Sequence, residues 1–176
     1  MSSLVKKTEE QPQDELQLVA FFLQGEEFAV DIQKVREVLK LPPITPLPQS
    51  LDFIEGVINL RGEVIPVVDL RKRFRLAKVA KSDKARIIIV EIDEGMVGLI
   101  VDSVTEVLHL NSSAIEPPPR RIAGTSTEFI SGVGKLGERL IIILYLEKIL
   151  STDEQMELEQ LQLAEPERIA LTDRLR

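Results

Sequence analysis

A short stretch in the second half of the chain, GVGKLG from Gly132 to Gly137, has the spacing G-x-G-x-x-G. In dinucleotide-binding proteins this spacing marks a turn between a strand and a helix, and the first amide groups of that helix hold the pyrophosphate. The residues that follow here, RLIIILYL, are apolar and rich in isoleucine, and they predict a strand. Because a helix is required at that place, we interpret the glycines as turn residues and predict no nucleotide cofactor.

Other residues with catalytic potential are few. The chain has no cysteine, which excludes disulfides and thiolate metal sites, and its one histidine, His109, cannot supply a multi-histidine metal site. Asp69 and Asp102 lie at unrelated positions of the two halves of the chain, and neither G-x-S-x-G nor a P-loop occurs. We therefore predict a protein that is not an enzyme and has no catalytic, cofactor-binding or metal-ligating residues.

Composition indicates a β-rich protein with acidic ends. Hydrophobic residues make up 44% of the chain but aromatic residues only 4%, so valine, isoleucine and leucine must form the core, which favours packed strands. The net charge is −2 in residues 1–15 and −4 in residues 151–176, so the total of −7 leaves −1 for residues 16–150. This central part has no basic field for nucleic acid. No apolar run approaches a membrane span of about 20 residues, and no signal peptide is recognisable. We expect a cytoplasmic protein without membrane insertion.

Local patterns divide the chain into tails and strands. Residues 1–15 are polar and unpatterned and predict a disordered tail. Strands are predicted at LVAFFL, VIPVVDL, IIIVEI, VGLIVD and RLIIILYL, with hairpin turns at Gly25-Glu26 and Glu94-Gly95. Ser151 followed by Glu154 is typical of a helix capping box, so we expect a C-terminal helix to about residue 165, before Pro166.

The two halves of the chain repeat each other. At an offset of 69, EEFAVDIQKVREVLKL from Glu26 aligns with GMVGLIVDSVTEVLHL from Gly95. At an offset of 76, FIEGVINLRGEVIPVVDLRK from Phe53 aligns with FISGVGKLGERLIIILYLEK from Phe129. The shared Phe-Ile-x-Gly-Val is too specific for chance identity among aliphatic residues. Two similar β units in tandem are therefore predicted.

We expect the first unit at about residues 16–78, a basic linker at about 76–86 and the second unit at about 84–150. Residues 151–176 form the helical tail. From residue 71 to residue 86 the chain carries eight basic residues and one acidic residue. Contact with phosphates or a membrane face is one interpretation of these charges. A solvated connector between the units is the interpretation that we favour.

Residues present in only one half are candidates for a role beyond folding. Asn59, Arg61, Gly62, Pro66 and Asp69 have no counterparts of the same type in the second half. Asn-Leu-Arg-Gly predicts a hairpin turn that carries Arg61, whose guanidinium would pair with a partner's carboxylate or with Glu37 or Asp69. Pro66 predicts an edge strand or a bulge. By contrast, Glu37 recurs as Glu106, which favours a structural role.

Several of these stretches together resemble the chemotaxis coupling protein family, CheW. The resemblance is carried by GVINLRGEVIPVVDLR (residues 56–71), by LVAFFLQGEEFAVDIQKVREVL before it, and by VGLIVDSVTEVLHL, STEFISGVGKLGERLIIIL and YLEKIL after it. It spans about residues 16–150. It implies an all-β fold of two five-stranded SH3-like barrels side by side, followed here by the short C-terminal α-helix.

The resemblance also implies a function and partners. Members of the family are non-catalytic adaptors that join chemoreceptors to the histidine kinase CheA in bacterial chemotaxis. The receptor's helical tip lies in the groove between the barrels, and the kinase's regulatory domain meets one barrel. We therefore expect a chain that is monomeric alone and is assembled into arrays at receptor clusters. Two alternatives stay open, namely an adaptor of a chemosensory pathway that does not control motility and a scaffold that binds the kinase without receptors.

The resemblance assigns roles to individual residues. Asn59, Arg61 and Gly62 match the family's Asn-Leu-Arg-Gly turn near the receptor and kinase surfaces. Val35 and Glu37 match its Val-x-Glu element, which is associated with receptor binding, and Gly56 matches a glycine implicated in kinase coupling. Together with Pro66 and Asp69, these residues form the predicted partner-binding set.

Overall fold

The structure, a computed structural model, describes residues 14–48, 50–77, 79–93, 95–122, 125–151 and 154. The predicted N-terminal tail and C-terminal helix lie almost wholly outside these residues. At the start of that helix, however, the amide of Ser151 donates to Oε1 of Glu154 at 2.7 Å, and the amide of Glu154 donates to Oγ of Ser151 at 3.1 Å. These reciprocal hydrogen bonds confirm the predicted capping box.

Strands dominate the described chain. They are β1 (Glu15–Leu23), β2 (Glu26–Asp31), β3 (Val35–Lys40), β4 (Ile54–Leu60), β5 (Glu63–Asp69), β6 (Arg86–Ile92), β7 (Gly95–Val101), β8 (Ser103–Asn111), β9 (Ile115–Glu116), β10 (Arg121–Ile122), β11 (Thr125–Ser126), β12 (Ile130–Leu136) and β13 (Arg139–Leu144). One helical turn, α1 (Leu70–Arg73), follows β5, and short 3-10 turns lie at Ile32–Lys34, Ser112–Ala114, Thr127–Phe129 and Leu146–Lys148. The predicted all-β class is confirmed.

The strands form two large sheets of matching design. Sheet one has the order β3-β6-β7-β5-β4, and sheet two has the order β8-β1-β2-β13-β12-β9. Each sheet contains one parallel pair of strands: Val67 pairs with Gly98 in sheet one, and Ile143 pairs with Ala29 in sheet two. These pairs are equivalent under the offsets of 69 and 76 residues. Equivalent residues of the predicted repeat therefore form equivalent strand pairs in the two sheets.

Each sheet takes strands from both halves of the sequence. The hairpin β1–β2 comes from the first half but lies in sheet two, and the hairpin β6–β7 comes from the second half but lies in sheet one. The expected division at residues 76–86 thus separates the halves of the sequence and does not separate the two sheets. The alignment of the two halves shows which strands are equivalent. It does not show which strands pair with each other within a sheet.

Three clusters of buried side chains account for the core. Ala29, Ile141 and Ile143 belong to a small cluster within sheet two, and their equivalents Val67 and Ile65 belong to a matching cluster within sheet one. A larger cluster lies between the sheets and includes Phe21 and Phe28 from sheet two with Val57 and Val68 from sheet one. Because strands are covered on both faces, their sequences read as continuous apolar runs.

The turns and Pro66 differ from expectation in detail. The first hairpin turns at Gln24 and Gly25, with φ of +51° and +76°, one residue before the predicted Gly25-Glu26. Gly95 is already the first residue of β7. Strand β5, which carries Pro66, lies between β4 and β7, so the predicted edge position is wrong. Parallel pairing of β5 with β7 begins only at Val67, so that ladder does not require the amide hydrogen that Pro66 lacks.

An ion-pair network ties the hairpin β1–β2 to the end of sheet one. The guanidinium of Arg71 donates to both carboxylate oxygens of Asp102, at 2.7 and 2.5 Å, and Asp102 also accepts from the amide of Gln24 at 2.9 Å. Burial alone raises the pKa of Asp102, but the hydrogen bonds from Arg71 and Gln24 outweigh it and the pKa lies below its usual value. Arg71, one of the basic residues that follow β5, is therefore paired within the fold.

The depressed pKa of Asp102 predicts a pH-dependent contribution to stability. The carboxylate stabilises the fold above its ordinary pKa of 3.8, and this contribution is lost as the pH falls through the lower, folded-state pKa. We expect Asp102→Asn to lower the free energy of unfolding by about 1 kcal/mol at pH 7, because the pair is partly solvated. Urea titrations at pH 7 and pH 3 check this: the difference between variant and wild type should shrink at pH 3, and a constant difference would contradict the assignment.

Candidate partner-binding surface

The turn between β4 and β5 is a braced two-residue hairpin. Arg61 and Gly62 occupy it with φ of +51° and +88°, and Leu60 pairs with Glu63 on either side. The side-chain oxygen of Asn59 accepts a hydrogen bond from the amide of Gly62 at 2.8 Å. The predicted turn is confirmed: positive φ falls on Arg61 and Gly62, and Asn59 accepts the hydrogen bond that braces them.

Arg61 joins this turn to strand β3 at the other end of sheet one. Its Nη2 atom lies 2.5 Å from Oε1 of Glu37, and the two side chains are 74% and 27% exposed. Because β3 and β4 are the outer strands of the sheet order, the contact shows that the sheet curls until its two edges approach. Such an exposed pair adds little stability. Because the Arg61 side chain stays largely exposed, it is available to a partner.

The second half of the chain has an equivalent arrangement. Nη2 of Arg139, beside the turn between β12 and β13, lies 2.9 Å from Oε1 of Glu106 and 2.6 Å from Oε2 of Glu27. Glu106 is the repeat equivalent of Glu37. In both halves this glutamate therefore forms an ion pair with an arginine of a hairpin, β4–β5 in the first half and β12–β13 in the second. The recurrence of the glutamate is therefore explained by the fold, and the exposed position of Arg61 is what distinguishes the first half.

Strand β3 also carries an exposed apolar side chain, on the face opposite to that of Glu37. Val38 is 40% exposed, whereas Val35 is partly buried against the central cluster and lies next to a bulge that ends at Glu37. We term the surface formed by Glu37, Asn59, Arg61 and Gly62 the hairpin surface. It presents an exposed guanidinium at a braced turn, and arginine is enriched at protein interfaces.

One cleft elsewhere in the described chain has its carboxylates paired internally. A cleft of about 250 Å³ is lined by Asp69, Arg71, Lys81 and Asp102, among others. Its carboxylates accept hydrogen bonds from Arg71 and from backbone amides. Over the described ranges, no group of three or more histidine, aspartate or glutamate residues is placed to hold a metal ion. In the same part of the chain, no helix has the length and hydropathy to cross a membrane.

Comparison with known proteins decides the family. The family model of the CheW-like domain matches residues 17–154, which takes in nearly all of both sheets. The chain belongs to the CheW family. The chemotaxis protein CheW of Klebsiella aerogenes is 37% identical over 138 residues, covering 78% of this chain and 83% of that protein. The CheW of Treponema pallidum is 32% identical over 152 residues, covering 84% and 89%.

A solved structure agrees with this assignment. The CheW from Thermoanaerobacter tengcongensis, described as a scaffolding protein, superposes with a TM-score of 0.75 at 44% sequence identity. The match covers 79% of this chain and 94% of the other. The two-unit β architecture is thus that of a solved CheW structure.

The predicted partner-binding residues of this CheW family member fall into two groups. Glu37, Asn59, Arg61 and Gly62 come together at the hairpin surface, with Val35 adjacent on β3. The other three lie elsewhere: Gly56 packs against the backbone of Thr45, Pro66 is buried in β5, and Asp69 is buried at the far end of β5. Asp69 accepts hydrogen bonds from the amides of α1 and does not contact Arg61.

Sequence reasoning also missed the exposed Val38, which lies outside the hairpin surface. The signal was the period-two alternation in VREVLK, which places Arg36, Val38 and Lys40 on the outer face of β3. Its repeat equivalent, Val107 on β8, is also exposed.

Proposed function

We propose that this CheW family member is a non-catalytic adaptor that joins chemoreceptors to the regulatory domain of a CheA-type histidine kinase. The observation that carries the proposal is the match of residues 17–154 to the CheW-like domain. The curated relatives are named chemotaxis proteins, and the solved relative is described as a scaffolding protein. We place the protein in the cytoplasm, at the receptor clusters.

We further propose that the hairpin surface contacts one of these partners. Arg61 is held at a rigid turn and stays largely exposed after pairing with Glu37. The complementary patch on the partner should therefore carry a carboxylate, since a guanidinium pairs with carboxylates through a fork of hydrogen bonds.

A charge exchange separates a binding role from a folding role. In the double variant Arg61→Glu with Glu37→Arg the internal pair is restored, but the surface presents a negative charge where it was positive. We expect this variant to keep the wild-type unfolding midpoint, because an exposed pair is worth at most about 1 kcal/mol. We expect receptor-controlled phosphorylation, measured with receptor tip and kinase in a reconstituted mixture, to fall about 10-fold or more, as for an interface hot spot.

The controls use another exposed ion pair. Lys135 is the repeat equivalent of Asn59, and its Nζ atom lies 2.9 Å from Oε1 of Glu116. Lys135→Ala removes a comparable pair and should leave phosphorylation unchanged, while Arg61→Ala should reduce it. Full activity of the folded charge-exchange variant would exclude the hairpin surface as a partner contact. Absence of binding to both receptor tip and kinase would contradict the adaptor role itself.

A further inference from the structure

Arg73, the last residue of α1, occupies the junction between the two repeats. Its guanidinium carbon lies 4.3 Å from the centre of the Phe53 ring and 4.8 Å from the centre of the Phe129 ring. Phe53 and Phe129 are equivalent positions under the offset of 76 residues. One arginine therefore makes cation–π contacts with the same residue of both repeats.

Both phenylalanines stand at the roots of the two hairpins. The carbonyl oxygen of Phe53 accepts from the amide of Asp69 at 2.8 Å, which closes the base of the hairpin β4–β5. The carbonyl oxygen of Phe129 accepts from the amide of Tyr145 at 2.8 Å, which closes the base of the hairpin β12–β13. The tips of these hairpins carry Arg61 and the ion pairs of Arg139. Each ring therefore belongs to the residue that closes the base of its own hairpin.

The remaining contacts of Arg73 fix its guanidinium in place. Nε donates to the carbonyl oxygen of Ile149 at 2.7 Å, and Nη2 donates to Oε1 of Glu154 at 3.1 Å. Glu154 is itself held by the capping box with Ser151. The Arg73 side chain is only 17% exposed. In the second repeat its place is taken by Ile149, so the junction has one arginine and not a symmetric pair.

We propose that Arg73 is a positioning residue that sets the orientation of the hairpin β4–β5 relative to the hairpin β12–β13. Lysine cannot replace it, because a single ammonium group does not span two rings and two acceptors. The consequence for signalling rests on the proposed adaptor role, since partners that contact both repeats need the two tips at a fixed separation. The geometric part does not depend on that role.

The chain offers a direct measurement, because it has no cysteine. Cysteines introduced by Glu63→Cys and Glu138→Cys place one spin label at the tip of each hairpin, on exposed positions outside the ion pairs. We expect one narrow distance distribution in the otherwise wild-type protein. With Arg73→Leu or Arg73→Lys, measured well below the unfolding midpoint, the mean distance should shift by about 2 Å or the distribution should clearly broaden.

The matched control is Lys72→Leu, which removes a cation from the same helix that pairs with Glu55 of its own repeat. It should leave the distribution unchanged. Should Arg73→Leu fail to fold, Glu154→Gln removes only the charged acceptor and should broaden the distribution to a smaller degree. An unchanged distribution in folded Arg73 variants, even with a lowered midpoint, would show that Arg73 only stabilises the core and would overturn the proposal.

The effect of Arg73 on signalling is measured in a separate experiment. In the reconstituted kinase mixture, Arg73→Lys should lower receptor-controlled phosphorylation about threefold or more, whereas Lys72→Leu should not. A shifted distance with unchanged phosphorylation would remove the link to the adaptor role and leave the positioning role in place. If wild type does not couple at all, the proposed function fails while the distance result still stands.

Discussion

Cleavage of the chain between Val79 and Ser82 is expected to leave the protein folded, whereas either fragment alone is expected to be unfolded. The reason is the exchange of hairpins between the two sheets. The N-terminal fragment contains β1–β2 without the strands β8 and β13 that flank this hairpin, and the C-terminal fragment contains β6–β7 without β3 and β5. An isolated hairpin of this kind is at best marginally stable.

The measurement uses a protease site inserted into this segment of the full chain. Nicked protein should elute as one species with the far-ultraviolet circular dichroism of the uncut protein. After separation in denaturant, each fragment should lack cooperative unfolding, and mixing should restore it. Uncut protein with the same insertion is the control. Cooperative unfolding of one isolated fragment would contradict the exchanged topology and would instead support two independent units.

The exchange shows why the repeat predicted two similar units but not their composition. The identities between Phe53-Ile-x-Gly-Val and Phe129-Ile-x-Gly-Val report equivalent environments, and the matched bulges at Gly56 and Gly132 confirm that equivalence. They contain no information on which hairpin pairs with which strand. The choice depends on long-range packing that an alignment of the two halves does not reveal.

The candidate surface was predictable to a similar extent. Asn59, Arg61 and Gly62 form a turn because their local chemistry demands one, and local chemistry can be read from sequence. The partner of Arg61 was left open between Glu37 and Asp69, because the choice depends on how far sheet one curls. The carboxylate of Asp69 instead caps the N-terminus of α1. The basic segment after β5 also differs from a solvated connector, since Arg71, Lys72 and Arg73 all pair within the fold.

Gly56→Ala is expected to cause the largest loss of stability of any single substitution considered. Gly56 has φ of +148°, and a Cβ atom there would lie 2.1 Å from the carbonyl oxygen of Thr45 and 2.9 Å from Cα of Pro46. Thr45 cannot retreat freely, because its amide and carbonyl bond Val57 at 2.9 and 2.8 Å. Backbone strain of about 1–3 kcal/mol adds to about 1 kcal/mol for each hydrogen bond lost.

Gly132→Ala is the matched control, because Gly132 is the repeat equivalent at the same bulge. Its Cβ would meet the Cγ2 methyl group of Ile115 at 2.7 Å and the carbonyl oxygen of Glu116 at 3.1 Å, and Gly132 lacks the positive φ of Gly56. Chemical denaturation should therefore show a loss of about 3–5 kcal/mol for Gly56→Ala and a clearly smaller loss for Gly132→Ala. Equal losses would contradict the role assigned to the Thr45 backbone.

This comparison also bears on Gly56 as a proposed partner-binding residue. Since a Cβ at Gly56 collides with backbone inside the sheet, the fold alone requires glycine there. Loss of kinase coupling in a Gly56 variant would then report a distorted root of the hairpin β4–β5, close to Phe53, and not a lost contact. A decisive result is obtained at a temperature where Gly56→Ala is fully folded. Binding that recovers with folding assigns the loss to lowered stability, and binding that stays absent assigns it to a changed geometry at the root of this hairpin.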